Sequence, residues 1–157
     1  PEARLEMIGD GPLLAECKAL AADLGAGARV HFSGAMPHDY VRERLSRTEV
    51  FLQHSITAAD GNTEGLPTAI QEALACGCIT LSTRHAGIPE AVEHGVNGFL
   101  VEEWDETGFT AQIARVLEEG RQEEMEHAAR ATAEARFDNQ KLLEKLEQTI
   151  LRTLADS

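Results

Sequence analysis

Residues 64–77 read Glu64-Gly65-Leu66-Pro67-Thr68-Ala69-Ile70-Gln71-Glu72-Ala73-Leu74-Ala75-Cys76-Gly77. A Gly-Leu-Pro turn opens a helix expected over 67–76, with proline in its first turn and glycine just beyond its end. An apolar run, 78–82, follows at once and reads as a strand. Another, Val50 to Gln53, precedes it across a polar loop at 54–63. Strand, loop, helix, strand is the repeating unit of a parallel sheet.

The same alternation continues in both directions. Upstream, Leu5 to Ile8 reads as a strand ending at Gly9-Asp10-Gly11-Pro12. Pro12 to Leu24 carries Leu13, Leu14, Cys17, Leu20, Ala21 and Leu24 at helical spacing, and Gly25 and Gly27 stop it. Arg29 to Phe32 is a second strand, halted by Ser33-Gly34. A helix over 37–46 turns Tyr40, Val41 and Leu45 inward. Downstream come a short helix from Gly87 to about Glu93, a turn at 95–98 and a strand at 99–101. Three helices are expected over 106–119, 122–136 and 138–154. The second is alanine-rich, and Asp138 can cap the last. The predicted class is α/β, a doubly wound parallel sheet in one domain over residues 1–157, with C-terminal helices.

Composition narrows the function. Apolar residues make up 43% and charged residues 26% of the 157, which describes a globular chain. A net charge of −13 argues against a nucleic-acid or anionic-membrane surface, which needs a basic patch. No run of about 18 apolar residues marks a membrane span. Three cysteines, Cys17, Cys76 and Cys78, make no disulfide framework and suit a reducing, cytoplasmic compartment. No second Cys/His pair at zinc spacing accompanies Cys76-Gly77-Cys78, so no metal is expected. The chain opens Pro1-Glu2-Ala3-Arg4 and reaches a strand within a few residues. It is expected to be part of a longer protein.

Two readings of the acids at 64 and 72 stand side by side. Backbone N–H groups at a helix start favour an anion, and Glu72, about 7.5 Å along the axis from Pro67, leans back toward that end. A pyrophosphate at the helix start and hydroxyls on the acids would describe a nucleotide-sugar. Alternatively, acids near a helix start stabilise its dipole. Arg84 and His85, at the end of the 78–82 strand, either reach a donor phosphate or face solvent. His54 fills a corner. Trp104 is expected to pack at a helix start, with Glu102, Glu103, Asp105 and Glu106 capping the helix that follows.

The ordered segments resemble a known family. Met7-Ile8-Gly9-Asp10-Gly11-Pro12, Val30-His31-Phe32-Ser33-Gly34, Glu64-Gly65-Leu66-Pro67 with Glu72-Ala73-Leu74-Ala75-Cys76-Gly77, Ser82-Thr83 with Gly87-Ile88-Pro89-Glu90, and His94-Gly95-Val96-Asn97-Gly98-Phe99-Leu100-Val101 are similar to the C-terminal, donor-binding domain of family 4 retaining glycosyltransferases. The segment 55–61 resembles members that build bacterial exopolysaccharide. The resemblance implies a GT-B fold, here a Rossmann-like domain lacking its first βα unit. It implies Glu64 as the catalytic residue, bonded to hexose hydroxyls of the donor, and Glu72 on the ribose. Gly65, Leu66 and Thr68 would face the pyrophosphate and sugar, Gly34 and Met36 the base, and Gly9 and Gly11 would let the chain turn beside the nucleotide.

By the same resemblance, a hexosyl unit passes from a nucleotide-sugar to a glycan or lipid-linked acceptor with retention and without a metal or other cofactor. The parent enzyme is placed in the cytoplasm or at the inner membrane face. Its own N-terminal domain is a partner, and self-association through the last helix is expected. No Lys or Arg lies between Arg47 and Arg84, so the isolated chain is expected to bind donor weakly and not to transfer. The alternatives are a non-catalytic nucleotide or sugar module and a nucleotide-sugar epimerase of the same shape.

Overall fold

The structure is a computed structural model and describes residues 3–120 and 122–155. The opening residues Pro1 and Glu2 lie outside the described residues. In chain order the elements are β1 (Leu5–Ile8), α1 (Leu14–Asp23), β2 (Val30–Gly34), α2 (His38–Leu45), β3 (Val50–Gln53), α3 (Thr68–Ala75), β4 (Ile79–Thr83), α4 (Ile88–Ala91), β5 (Gly98–Val101), α5 (Glu106–Glu119), α6 (Glu123–Arg136) and α7 (Asn139–Ala155). Each strand and helix anticipated from the sequence forms, within a residue or two at its ends. Two compact units emerge, residues 1–44 and residues 45–157.

In the second unit, β3, β4 and β5 form a parallel sheet with β4 central. Side chains alternate between its faces. Val50, Leu52, Ile79, Leu81 and Phe99 pack with Phe109, Ile113 and Val116 of α5 and Met125 of α6. Phe51 and Leu100 point the other way, into a cluster of Ile70, Leu74, Ile88, Ala91, Val92, Ala129 and Ala133 from α3, α4 and α6. The sheet is thus covered on both faces, the doubly wound arrangement. All five residues of β4 are buried, as a central parallel strand requires. Small Ala129 and Ala133 let α6 lie close to α3, which explains the alanine-rich sequence there. Two guanidiniums finish neighbouring helices: Arg130 donates to the Ala75 carbonyl and Arg136 to that of Glu90, meeting otherwise unpaired C-terminal acceptors.

The first unit has one parallel pair, β1 and β2, with a register shift between Met7 and Ile8. Its apolar burial is slight. The apolar stripe at helical spacing on α1 is largely exposed: Leu13, Leu20 and Leu24 are 61%, 59% and 71% accessible, and only Ala21 is buried. Two strands and two short helices offer too little surface to cover that stripe.

A polar cluster ties this unit together instead. Glu6, on β1, accepts hydrogen bonds from Ser33 Oγ at 2.5 Å and Tyr40 Oη at 2.8 Å, and pairs with Arg44. Burial pushes the Glu6 carboxyl up, but the bonds from Ser33, Tyr40 and Arg44 outweigh it and hold the group below its ordinary range. Tyr40 therefore turns inward as anticipated, toward a carboxylate rather than toward an apolar core.

The last helix, α7, is capped by Asp138, whose Oδ1 accepts from the N–H groups of Gln140 and Lys141. None of its residues is buried, and Leu142, Leu143, Leu146, Ile150, Leu151 and Leu154 stand exposed. No helix among the described residues is long and apolar enough to cross a membrane.

Candidate functional site

The segment linking β3 to α3, residues 54–67, runs from the C-terminal end of a parallel strand to a helix start. Ligands of open α/β sheets bind at such an end. Pro67, with φ −57° and ψ 129°, is the N-cap of α3, one residue earlier than the first-turn position anticipated. It removes one N–H that could not have been paired and fixes the chain's entry into the helix. The Ile70 N–H bonds to the Pro67 carbonyl, and no side chain caps the helix. Among the described residues nothing accepts from the N–H groups of Thr68 or Ala69. Two donors and the positive end of the helix dipole therefore face outward together.

Glu64, Gly65 and Thr68 are exposed, and Leu66 is half-buried against the α3–α4 cluster. Glu72, half-buried, sits one turn into α3. All five belong to the second unit. The remaining sequence candidates, Gly9, Gly11, Gly34 and Met36, share the first unit, at the C-terminal ends of β1 and β2. The Gly9 N–H bonds to the Gly34 carbonyl at 2.8 Å. Both glycines take positive φ, 141° and 69°, which a side chain would strain. Gly11 turns on the Asp10 carboxylate, and Met36 is 40% exposed. Each group is thus gathered at the ligand-binding end of its own sheet.

Side chains from β4 and the loop after it hold the 54–67 segment. Ser82 Oγ donates to the Gln53 carbonyl at 2.6 Å and Thr83 Oγ1 to that of Ser55 at 2.5 Å. His85 Nδ1 meets Glu103 Oε1 at 2.7 Å, and Glu103 accepts from the Thr57 N–H at 2.7 Å and from the Thr57 hydroxyl at 3.3 Å. The Thr57 N–H first, and His85 second, hold the Glu103 carboxyl below its ordinary range. Farther along, the Gly87 N–H bonds to the Gly65 carbonyl at 3.0 Å, and a side chain at 87 would press on that carbonyl.

These contacts correct several readings. His85 is 1% exposed, neither solvated nor open to a phosphate, while Arg84 is exposed and pairs with Glu102 at 3.3 Å. The acids at 102–106 do not act as one capping cluster. Asp105 alone accepts from a first-turn N–H, that of Gly108, whereas Glu103 serves the 54–67 segment. Trp104 does not pack at the helix start; it is 65% exposed with φ 65°. His54 does meet a neighbour, edge-on to Phe109 at 5.1 Å between ring centres. The cysteines are free, and burial raises the Cys78 thiol to about 12, so it is not a poised thiolate. Among the described residues no cluster of three His, Cys, Asp or Glu could hold a metal ion.

The His85–Glu103 pair is not legible from the residue pattern. Its one visible signal was an acid two residues past a strand end, at the same level as a histidine two past the neighbouring strand.

The family model described as "Glycosyl transferases group 1" matches residues 1–136. The amylovoran biosynthesis glycosyltransferase AmsK of Erwinia amylovora is 38% identical over 151 residues, which are 95% of this chain and 37% of the relative. The N-acetyl-alpha-D-glucosaminyl L-malate synthase of Bacillus anthracis is 31% identical over 99% of this chain and 39% of its own length. Among solved structures, that of the Anabaena protein HepE in complex with UDP-glucose superposes with a TM-score of 0.78 at 26% identity, covering all of this chain and 42% of that one. The chain thus spans well under half the length of these relatives. Its fold is the Rossmann-like α/β fold of GT-B glycosyltransferases. With the family model matched over most of its length, the chain belongs to the glycosyl transferases group 1 family.

Proposed function

We propose that this chain is the donor-binding part of a longer retaining glycosyltransferase, which moves a hexosyl unit from a nucleotide-sugar to a glycan or lipid-linked acceptor. The start of α3 carries this reading. Two outward N–H groups stand between an exposed carboxylate at 64 and a second one a turn into the helix, in a chain of this family. Glu64 bonds hydroxyls of the hexose, and Glu72 the ribose. The N–H groups around Gly65, Leu66 and Thr68 face the pyrophosphate, and no metal takes part. Gly9 and Gly11 let the chain approach the nucleotide, and the backbone near Gly34 and Met36 holds the base. HepE, solved with UDP-glucose, and AmsK, named for exopolysaccharide synthesis, support the donor class and a role in polysaccharide assembly.

The longer protein is a two-part enzyme working in the cytoplasm or at the inner membrane face. The open stripe of α7 docks on the other domain of the longer protein, and in the isolated chain it drives self-association. With no Lys or Arg from 48 to 83, the isolated chain holds a pyrophosphate weakly and does not transfer. Ligand-observed NMR against a panel of nucleotide-sugars tests the reading. Saturation transfer to at least one of them is expected, at an affinity weaker than roughly 1 μM, which corresponds to about −8 kcal/mol. No transfer to any of them, in a folded chain, contradicts it.

A further inference from the structure

The 54–67 segment carries Glu64, yet it forms no strand pairing beyond Gln53. Its own turn at 58–62 closes on itself: the Ala58 N–H bonds to the Asn62 carbonyl and the Asn62 N–H to Asp60. What fixes its course comes from the corner between β4 and α4. There Thr83 fastens Ser55, Gly87 fastens Gly65, and His85 acts through Glu103 on Thr57.

His85 differs from the other fasteners. Facing a carboxylate, its Nδ1 carries the hydrogen. Its Nε2 is sealed from solvent and finds no partner among the described residues. A buried nitrogen without a partner is costly. The corner itself is constrained: Ala86 takes φ 43°, the Arg84 N–H bonds to the Val101 carbonyl, and the Ile88 N–H to that of His85. The imidazole is therefore held rigidly where it can aim the Glu103 carboxylate at Thr57.

We propose that His85 is a positioning residue for the donor site: through Glu103 it clamps the 54–67 segment at Thr57, and with the Gly87–Gly65 bond this holds Glu64 in place. The step from a fixed segment to a fixed donor contact rests on the reading of Glu64 given above.

The test uses the full chain and two variants. His85→Asn keeps an N–H donor near the Nδ1 position, and His85→Leu keeps bulk without it. Amide exchange followed by NMR reads the clamp without any ligand. In His85→Leu the amides from Ser55 to Gly65 are expected to exchange at least tenfold faster, with those of Leu81 and Leu74 unchanged, and His85→Asn is expected to restore most of the protection. Titrations with UDP and UDP-glucose read its consequence. His85→Leu is expected to weaken UDP-glucose several-fold more than UDP, because Glu64 touches the sugar. Unchanged exchange at Ser55–Gly65 in His85→Leu, or equal acceleration throughout the chain, overturns the clamp. Faster local exchange with equal loss of UDP and UDP-glucose overturns the link to Glu64. Should the unaltered chain bind neither probe, the same comparison is made with the nucleotide-sugar of the panel that it binds and the matching nucleoside diphosphate; if it binds none, the donor reading fails while the exchange result still decides the clamp.

Discussion

The two compact units are held together by different forces. In residues 45–157 a central strand is wholly buried between two apolar clusters, and leucines and isoleucines from six elements interlock. In residues 3–44 one alanine is buried, large leucines stand in the open, and a carboxylate with three partners ties two strands to a helix. Apolar burial is insensitive to pH and tolerates salt, whereas a cluster centred on Glu6 is sensitive to both. The second unit carries Glu64 and Glu72 on a firm base. The first holds backbone turns at Gly9 and Gly34, which ask less of the packing around them.

The sharpest way to break this comparison is truncation of matched leucines. Leu74→Ala removes a side chain with no exposure and is expected to cost about 2–5 kcal/mol in denaturant unfolding. Leu20→Ala, at 59% exposure, is expected to change stability by no more than about 0.5 kcal/mol. Similar losses at both positions would show that the α1 stripe is buried after all.

A smaller effect concerns the polar cluster. Tyr40→Phe removes the 2.8 Å bond to Glu6 and is expected to cost about 1 kcal/mol. Acid has a matching effect, because Glu6 sits below its ordinary value of 4.5 when folded. Its contribution is complete above that value and is lost as the pH falls through the lower folded pKa. Amides of β1 and β2 should therefore lose protection on acidification before those of β4, and Glu6→Gln should remove most of the difference. The Glu103 carboxyl shares the direction of shift, so acid should also loosen Thr57. Smallest of all, Arg42→Ala breaks a fully exposed pair with Asp39 and should leave the melting temperature unchanged within error.

Much of this molecule is legible in its sequence because local patterns dominate it. Continuous apolar runs announced β3, β4 and β5, and Pro67 and Gly77 bracketed α3 to within a residue. Asp138 was readable as a cap since its partners lie two and three residues away. Three features were not legible. The α1 periodicity is real but periodicity does not say whether anything covers the face. His85 read equally as a phosphate contact or a solvated residue, because its carboxylate lies 18 positions later, past the end of another strand. Trp104 read as a packing residue at a helix start, yet its backbone takes a left-handed turn and the side chain stands exposed.

For the site, the sequence pointed to Glu64, Gly65, Leu66, Thr68 and Glu72, and the structure brings these five to one helix start. It equally grouped Gly9, Gly11, Gly34 and Met36 at the ends of β1 and β2. The surrounding supports, Ser82, Thr83, His85 and Glu103, went unseen, since a buried polar contact between separate strands leaves no periodic trace.

The most direct measurement is the affinity of the Glu72→Ala chain for the nucleotide-sugar that the unaltered chain binds best, taken together with its melting temperature. A donor site built on α3 predicts at least a tenfold loss of affinity with the melting temperature nearly unchanged. Unchanged affinity in a folded Glu72→Ala chain would contradict the assignment of this helix start as the donor site.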